Sequence, residues 1–308
     1  MQGYFFWRIV LNYIIFDLEW NNAYNYAAKK GVNEIIEIGA IKFDENLNTI
    51  DTFKQLIKPN IAKKLSSRCK KLTSITMDEI KKDGVSFENA FSLFSDWCGN
   101  DDNLFLTWSN SDLYVLSNNF HMNFGKSNID FIKKYCDAQK YCMSFIASTD
   151  GKSQISLSKC AELMNIEVDQ SKLHRALMDC VVTGECFKKV FDKDKLKGFI
   201  HDCDNDYFER LIYKNTYINK PNANGFSLRD VEFTCTNCES SIRLIKPFEN
   251  SNNTFKTIGA CTKCNKKFWL YVRAKRTYDG VTVTSKAVAM NKRRANKIDN
   301  KIDTKCLK

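Results

Sequence analysis

The apolar run Tyr13, Ile14, Ile15 and Phe16, within NYIIFDLEWNN, ends abruptly in two carboxylates, Asp17 and Glu19. The run reads as a buried strand, and side chains two apart on a strand share a face. Asp17 and Glu19 therefore project together, where their mutual repulsion is costly unless a cation neutralises it. A metal site accounts for such a pair, and so does an exposed strand end. This stretch alone leaves both open.

The chain has 308 residues, 44% of them hydrophobic and only three of them proline, so it has material for a real core and few grounds for long disorder. Its net charge of +11 is unevenly placed. Residues 1–200 hold 26 Lys+Arg against 25 Asp+Glu, whereas residues 201–308 hold 21 against 11. A near-neutral first part joined to a basic second part points to a polyanion partner for the second, most often nucleic acid; a merely soluble basic domain is the other reading. The apolar opening YFFWRIVLNYIIF, broken by Arg8, is shorter than the ~20 residues a membrane span needs. It lacks a small-residue cleavage site, so no signal peptide is expected. Thirteen cysteines without an export signal suggest a reducing, cytoplasmic setting.

Residues 13–18 are expected as the first strand, followed by a polar loop over 21–30. NEIIEIGAIKFD supplies a second strand, with Gly39 as a bulge or close-packing point, and IDTFKQLIKP a third. A helical pattern then takes over. SFENAFSLFSDWC sets Phe87, Phe91, Phe94 and Cys98 on one stripe behind Ser86 as N-cap. NLFLTW reads as a fourth strand and FIKKYCDAQ as a fifth, while SDLYVLSNNF, SLSKCAELMNI and ALMDCVVTGECFKKVF read as helices. Strands first, then strands alternating with helices, imply an α/β fold built on a mixed five-stranded sheet flanked by helices. Residues 193–228 look like a connecting segment.

Further acids extend the opening pair. Asp112 lies just past the fourth strand, where sites in α/β folds gather. In LHRALMDC, Asp179 falls one turn inside a helix beginning near Arg175, with His174 in the loop at its mouth. Taken singly, Asp112 could be a helix cap, His174 a satisfied loop histidine and Asp179 a solvated helix position. Together, Asp17, Glu19, Asp112 and Asp179 can hold two Mg²⁺ or Mn²⁺ ions for phosphoryl hydrolysis, with His174 taking a proton from the attacking water.

FDLEW, TWSNSD and HRALMD resemble, in order, the three exonuclease motifs of the DEDD superfamily, and the step from His174 to Asp179 is that of its DEDDh branch. NEIIEIGAIKFD, FKQLIKP, LTSIT and SLSKCAELMNI match supporting segments, so the resemblance covers residues 11–192. Within the branch the chain is similar to the group containing the bacterial sporulation inhibitor KapD and the histone-mRNA 3′ exonuclease. The resemblance implies a ribonuclease H-like fold and 3′→5′ release of nucleoside monophosphates. It further implies that Asp17 bridges both ions, Glu19 and Asp179 hold the nucleophile-side ion, Asp112 holds the leaving-group ion largely through water, and His174 is the general base. Ser109 stands where the family often has Gly, which leaves the local turn in question. Trp20 replaces a commonly small polar residue and is a candidate to stack on a terminal base, or else a core residue. The first ten residues are read as an extension before the domain.

Two cysteine pairs, Cys235/Cys238 and Cys261/Cys264, are separated by 22 residues. Four thiolates on two tight turns make a closed structural Zn²⁺ site, and the strand-like segments around them make this a zinc ribbon over residues 229–285. A domain so small needs the metal to fold. Lys267, Trp269 and Arg273 are candidate substrate contacts on it, the other reading being aromatics in the ribbon core with solvated charges. Residues 286–308 form a basic tail. The expectation is therefore a metal-dependent 3′-5′ exonuclease acting on single-stranded 3′ ends, RNA favoured over DNA, with a zinc ribbon aiding substrate binding. A DNA exonuclease in repair or proofreading, a non-catalytic nucleic-acid-binding protein, and a ribbon that docks a protein are the alternatives.

Overall fold

The computed structural model describes residues 11–27, 29–146, 154–168 and 175–291. The expected N-terminal extension, His174 and the tail beyond residue 291 lie outside them. The opening apolar run lies in the first half of strand β1 (Leu11–Asn25). β1 lies between an antiparallel and a parallel neighbour, β2 (Lys30–Phe43) and β4 (Asp102–Thr107), so both its edges are paired. Even positions Ile14, Phe16 and Leu18 enter one core with Phe87, Phe94 and Leu116. Odd positions Tyr13 and Ile15 enter the other with Cys180 and Phe187. Asp17 and Glu19 continue the odd row, and so emerge on the side of the C-terminal helices.

β3 (Thr49–Leu56) completes the antiparallel meander. Helices α1 (Ser67–Thr73), α2 (Met77–Asp83) and α3 (Phe87–Cys98) follow. Ser86 caps α3 as expected, accepting from the Asn89 N–H, and Thr76 with Glu79 forms a capping box on α2. After β4 come α4 (Ser111–Phe124), β5 (Lys134–Asp137), α5 (Ala138–Met143), α6 (Leu157–Leu163) and α7 (Ala176–Lys189). α8 (Lys193–Leu196), β6 (Ile200–Asp202) and α9 (Asn205–Ile212) end the first of two compact units, which divide after Ile212.

The main sheet runs β3-β2-β1-β4-β5-β6 and has six strands, one more than the sequence predicts. The sixth pairs antiparallel with β5 at Lys134↔Asp202 and is only three residues long, with no buried position to give it a period. It comes from the segment expected as a connector. The expected polar loop over 21–30 is also mostly strand, since the hairpin pairs Asn22 with Asn33 and Tyr24 with Gly31. Polar side chains bond across it, the Asn22 amide to Asn33 Oδ1 at 2.6 Å, so the alternation there carries no apolar signal.

The second unit opens with β7 (Thr216–Tyr217), β8 (Asn222–Ala223) and β9 (Phe226–Ser227), also within the expected connector. β10 (Ile242–Leu244), β11 (Glu249–Ser251), β12 (Thr254–Cys261), β13 (Lys267–Thr277) and β14 (Gly280–Ala289) follow. Its sheet runs β10-β12-β13-β14, with β7 pairing β13 and β11 pairing β12. The core is Phe226, Phe255, Phe268, Leu270 and Val272. β14 continues to Ala289, four residues past the expected end of the ribbon.

Gly39 is the close-packing point. A Cβ there would stand 2.2 Å from the Leu177 nitrogen and 2.4 Å from the Ala176 carbonyl carbon, so only a glycine lets α7 rest on β2. Gly39→Ala is expected to lower stability by about 3 kcal/mol or more, because backbone rather than a flexible side chain must yield. Urea unfolding of the variant and the parent measures this.

Candidate active site and metal centres

Asp17 pairs with Gly39, and Glu19 with Glu37, across the β1–β2 ladder. With α7 seated on Gly39, Asp179 in its first turn faces the two β1 acids. Ligand oxygens of Asp17, Glu19 and Asp179 lie within 4.8 Å of one another. Asp112 stands in the first turn of α4, behind an Asn110 cap, so it is no helix cap. Its Oδ1 accepts the Leu18 N–H at 3.2 Å, between the two β1 acids.

The electrostatics of these groups are those of crowded anions. Burial, then the carboxylates of Asp112, Asp179 and Glu19, hold Asp17 well above the usual carboxylate range. Burial, then Asp179 and Glu37, push Glu19 up to about 9. Burial raises Asp112 to about 7 against the opposing Leu18 N–H bond. Four hard oxygen donors that cannot all ionise together fit divalent cations such as Mg²⁺ or Mn²⁺, which would restore the ionised forms.

Two residues not anticipated from the sequence fix this arrangement. Glu37 is fully buried; its Oε2 accepts the Ala176 N–H at 3.1 Å, and its carboxylate receives Arg175 through Nη2 at 2.8 Å and Nε at 3.2 Å. The start of α7 is thereby tied to β2. The available signal was an acid inside the apolar run IIEIGAI, a position that needs a partner. Arg175 also reaches Glu79 Oε1 on α2 at 3.3 Å.

The Gly-to-Ser departure is explained by geometry. Ser109 has φ +86°, a region that favours glycine. Its carbonyl accepts from Thr107 Oγ1 and, at 3.2 Å, from Tyr135 Oη, which hold the turn in place. Trp20 is half-buried, packs on the Ile14–Phe16 side core, and lines a cleft of about 290 Å³ with Leu18, Glu19, Asn22, Arg68 and Leu72. It is thus both core wall and cleft wall.

In the second unit, Cys235, Cys238, Cys261 and Cys264 have Sγ atoms within 4.8 Å of one another. The Cys235–Cys264 and Cys238–Cys261 separations are 3.6 and 3.4 Å. A tetrahedral ion with thiolates at ~2.3 Å has edges of about 3.8 Å, so the set fits such an ion. The two turns are built alike. Glu239 and Asn265, each just after a pair, have φ +58° and +54°, and Asn237 and Lys263 amides point at Cys235 and Cys261 sulfurs at 3.4 Å. The Ser240 backbone N–H, with help from the Cys261 thiol, brings Cys238 down to about 6, favouring a thiolate. Of the predicted ribbon contacts, Lys267 is buried at the start of β13, Trp269 is half-buried and Arg273 is exposed, its guanidinium donating to Thr254 Oγ1 at 3.1 Å. Lys267 is therefore not the solvated contact that its neighbours in sequence suggested; it sits where β13 pairs with Ala260.

A mixed sheet whose first strand carries two acids, met by acids in the first turns of two helices, defines a ribonuclease H-like, metal-dependent phosphodiester hydrolase. Residues 14–187 match the exonuclease family RNase_T, and the chain belongs to that family of divalent-metal-dependent 3′-5′ exonucleases. It is 29% identical over 170 residues to the probable 3′-5′ exonuclease KapD of Bacillus subtilis (strain 168), covering 55% of this chain and 78% of that one. The nuclease domain of 3′hExo, a DEDDh family member bound to rAMP, superposes with a TM-score of 0.50 at 19% identity, over 63% of this chain and 97% of that domain. Cell-death related nuclease 4 gives a TM-score of 0.49 at 17% identity, and this chain spans 62% of its length.

Carboxylates with raised pKa bind more protons folded than unfolded, so their stabilising effect is full below about pH 4 and is lost as pH rises towards about 9, the value reached by Glu19. Without divalent cations, Asp17→Asn is expected to raise Tm at pH 8 by roughly 2–4 °C per kcal/mol of relieved repulsion, and to leave it unchanged near pH 4. Calorimetry at the two pH values checks both. Ser109→Gly is expected to stabilise the chain by about 1 kcal/mol, the strain released less the entropy glycine adds, measured by urea unfolding.

Proposed function

We propose that the chain removes nucleoside monophosphates from the 3′ end of single-stranded nucleic acid, RNA in preference to DNA, with its C-terminal unit holding the strand. The observation that carries the reading is the meeting of Asp17, Glu19 and Asp179 within 4.8 Å, with Asp112 bonded to the strand between the first two. These four acids would hold two Mg²⁺ or Mn²⁺ ions, and the four cysteines one Zn²⁺. When bound, the hard ions stabilise charge on the attacking and leaving oxygens of an in-line displacement.

The chain's own residues do the rest. The cleft beside Glu19 receives the terminal nucleotide, with Trp20 against the base and Arg68 toward a phosphate. Asn22 in the same cleft offers a polar group to a 2′-hydroxyl, which supports the preference for RNA. His174, immediately before the Arg175 cap of α7, takes the proton from the attacking water. Glu37 and Arg175 keep that helix start in register with the acids.

End-labelled RNA and DNA of one sequence, incubated with Mg²⁺ or Mn²⁺, test this. The expected result is a 3′→5′ ladder from RNA formed faster than from DNA, abolished by Asp179→Asn. His174→Ala is expected to lower kcat by about 10²–10⁴-fold with little change in KM. A faster DNA ladder would select the repair or proofreading reading instead; no ladder from either would leave a non-catalytic binding protein.

A further inference from the structure

β13 presents two different faces. Phe268, Leu270 and Val272 are fully buried in the core of the second unit, while the alternate residues Trp269, Tyr271 and Arg273 lie on the opposite face of the sheet. Tyr271 is flanked across the ladder by Lys256 on β12 and Lys286 on β14. Trp269 is flanked by Ile258 and Val288, and Arg273 by Thr284. Among the described residues, neither the Trp269 nor the Tyr271 ring stacks on another ring, whereas Tyr217 further along is covered by Arg273 at 5.7 Å and Lys275 at 4.9 Å. Two clefts of about 470 and 400 Å³ adjoin on this face and share Tyr271. One has Trp269 and Lys256 as walls, the other Arg273 and Lys286. From residue 213 to 291 the unit carries thirteen Lys+Arg against five Asp+Glu, a net +8.

We propose that this outer face of β12, β13 and β14 is a platform for single-stranded nucleic acid, on which bases stack against Trp269 and Tyr271 while Lys256, Lys286 and Arg273 engage the flanking phosphates. It deepens, and rests on, the reading of the C-terminal unit as the part that holds substrate. Flat aromatic rings receive any base, and the cations on both sides of Tyr271 match a backbone that passes across the strands rather than a compact anion. The charge complementarity selects a polyanion over an apolar or acidic-poor protein surface. The buried Lys267 takes no part.

The test uses the full chain carrying Asp17→Asn, so that binding is read without hydrolysis. Fluorescence anisotropy with 5′-labelled 20-nucleotide RNA and DNA gives Kd over a range of salt, and bound zinc per chain reports that the unit is folded. Adding Trp269→Ala with Tyr271→Ala is expected to raise Kd for both strands by about tenfold or more with little change in salt dependence. Adding Lys256→Ala with Lys286→Ala is expected to lower the slope of log Kd against log salt by about 1.4. Trp269→Phe is expected to retain most of the affinity that Trp269→Ala loses. Parent-like Kd and slope in both double variants, with zinc retained, would overturn the proposal and leave the face to a protein partner. So would a Trp269→Phe chain as weak as Trp269→Ala. An absence of nuclease activity in the unsubstituted chain would sink the catalytic reading while leaving this binding measurement intact.

Discussion

The contact between β2 and the first turn of α7 decides whether the acids meet. Gly39 removes the side chain that would hold the helix away, and Glu37 ties the helix start down through the Ala176 amide and the Arg175 guanidinium. A carboxylate accepting a helix N-terminal amide is favoured by charge as well as by hydrogen bonding. The result is that Asp179, distant along the chain, is delivered against Asp17 and Glu19 by a rigid element rather than by a loop. The repulsion this creates opposes folding, and the attraction of α7 for β2 is what withstands it when no cation is present.

The second unit follows a different logic. Its core is one layer of apolar side chains from β12 and β13, backed by Phe226 and Ile242, and the four thiols gather at the other end of those strands. The two cysteine turns are near repeats in hydrogen bonding and in the positive φ that ends each of them. This small sheet gives one face to that core and carries Trp269, Tyr271 and Arg273 on the other. The first unit, by contrast, covers both faces of its central strands.

Much of the site was legible because its residues announce themselves locally. Acids at Asp17 and Glu19 interrupt an apolar strand, Asp112 follows a strand end, and Asp179 lies one turn into a helix with the right start. Each is a short-range pattern. Glu37 was not legible as a positioning group, because its role depends on a partner 138 residues away. The sixth strand was invisible for a related reason: three exposed or half-exposed residues acquire strand character only from β5 beside them. On β13 the alternation of aromatic and basic residues was plain, yet which rings were core depended on parity. The structure gives Phe268 to the core and Trp269 and Tyr271 to the outer face.

Ile36 has a consequence beyond its own packing. It is the residue by which β2 outruns β1, since Glu19 pairs with Glu37 but Trp20 pairs with Ile35. This single extra residue is why Ile35 and Ile38, three apart, enter the same core. It likewise lets Glu34 gather the amides of residues 60–62 on the flank where Glu37 gathers the start of α7. Excising Ile36 would leave a smoother ladder, with Ile35 still opposite Trp20 and Glu37 still opposite Glu19, but it would take from Leu56, Leu65, Ile75 and Ile80 the strand residue they pack on, and from the Ile57 N–H its carbonyl partner. An irregularity in the pairing is thus what lets one strand serve two neighbours at once.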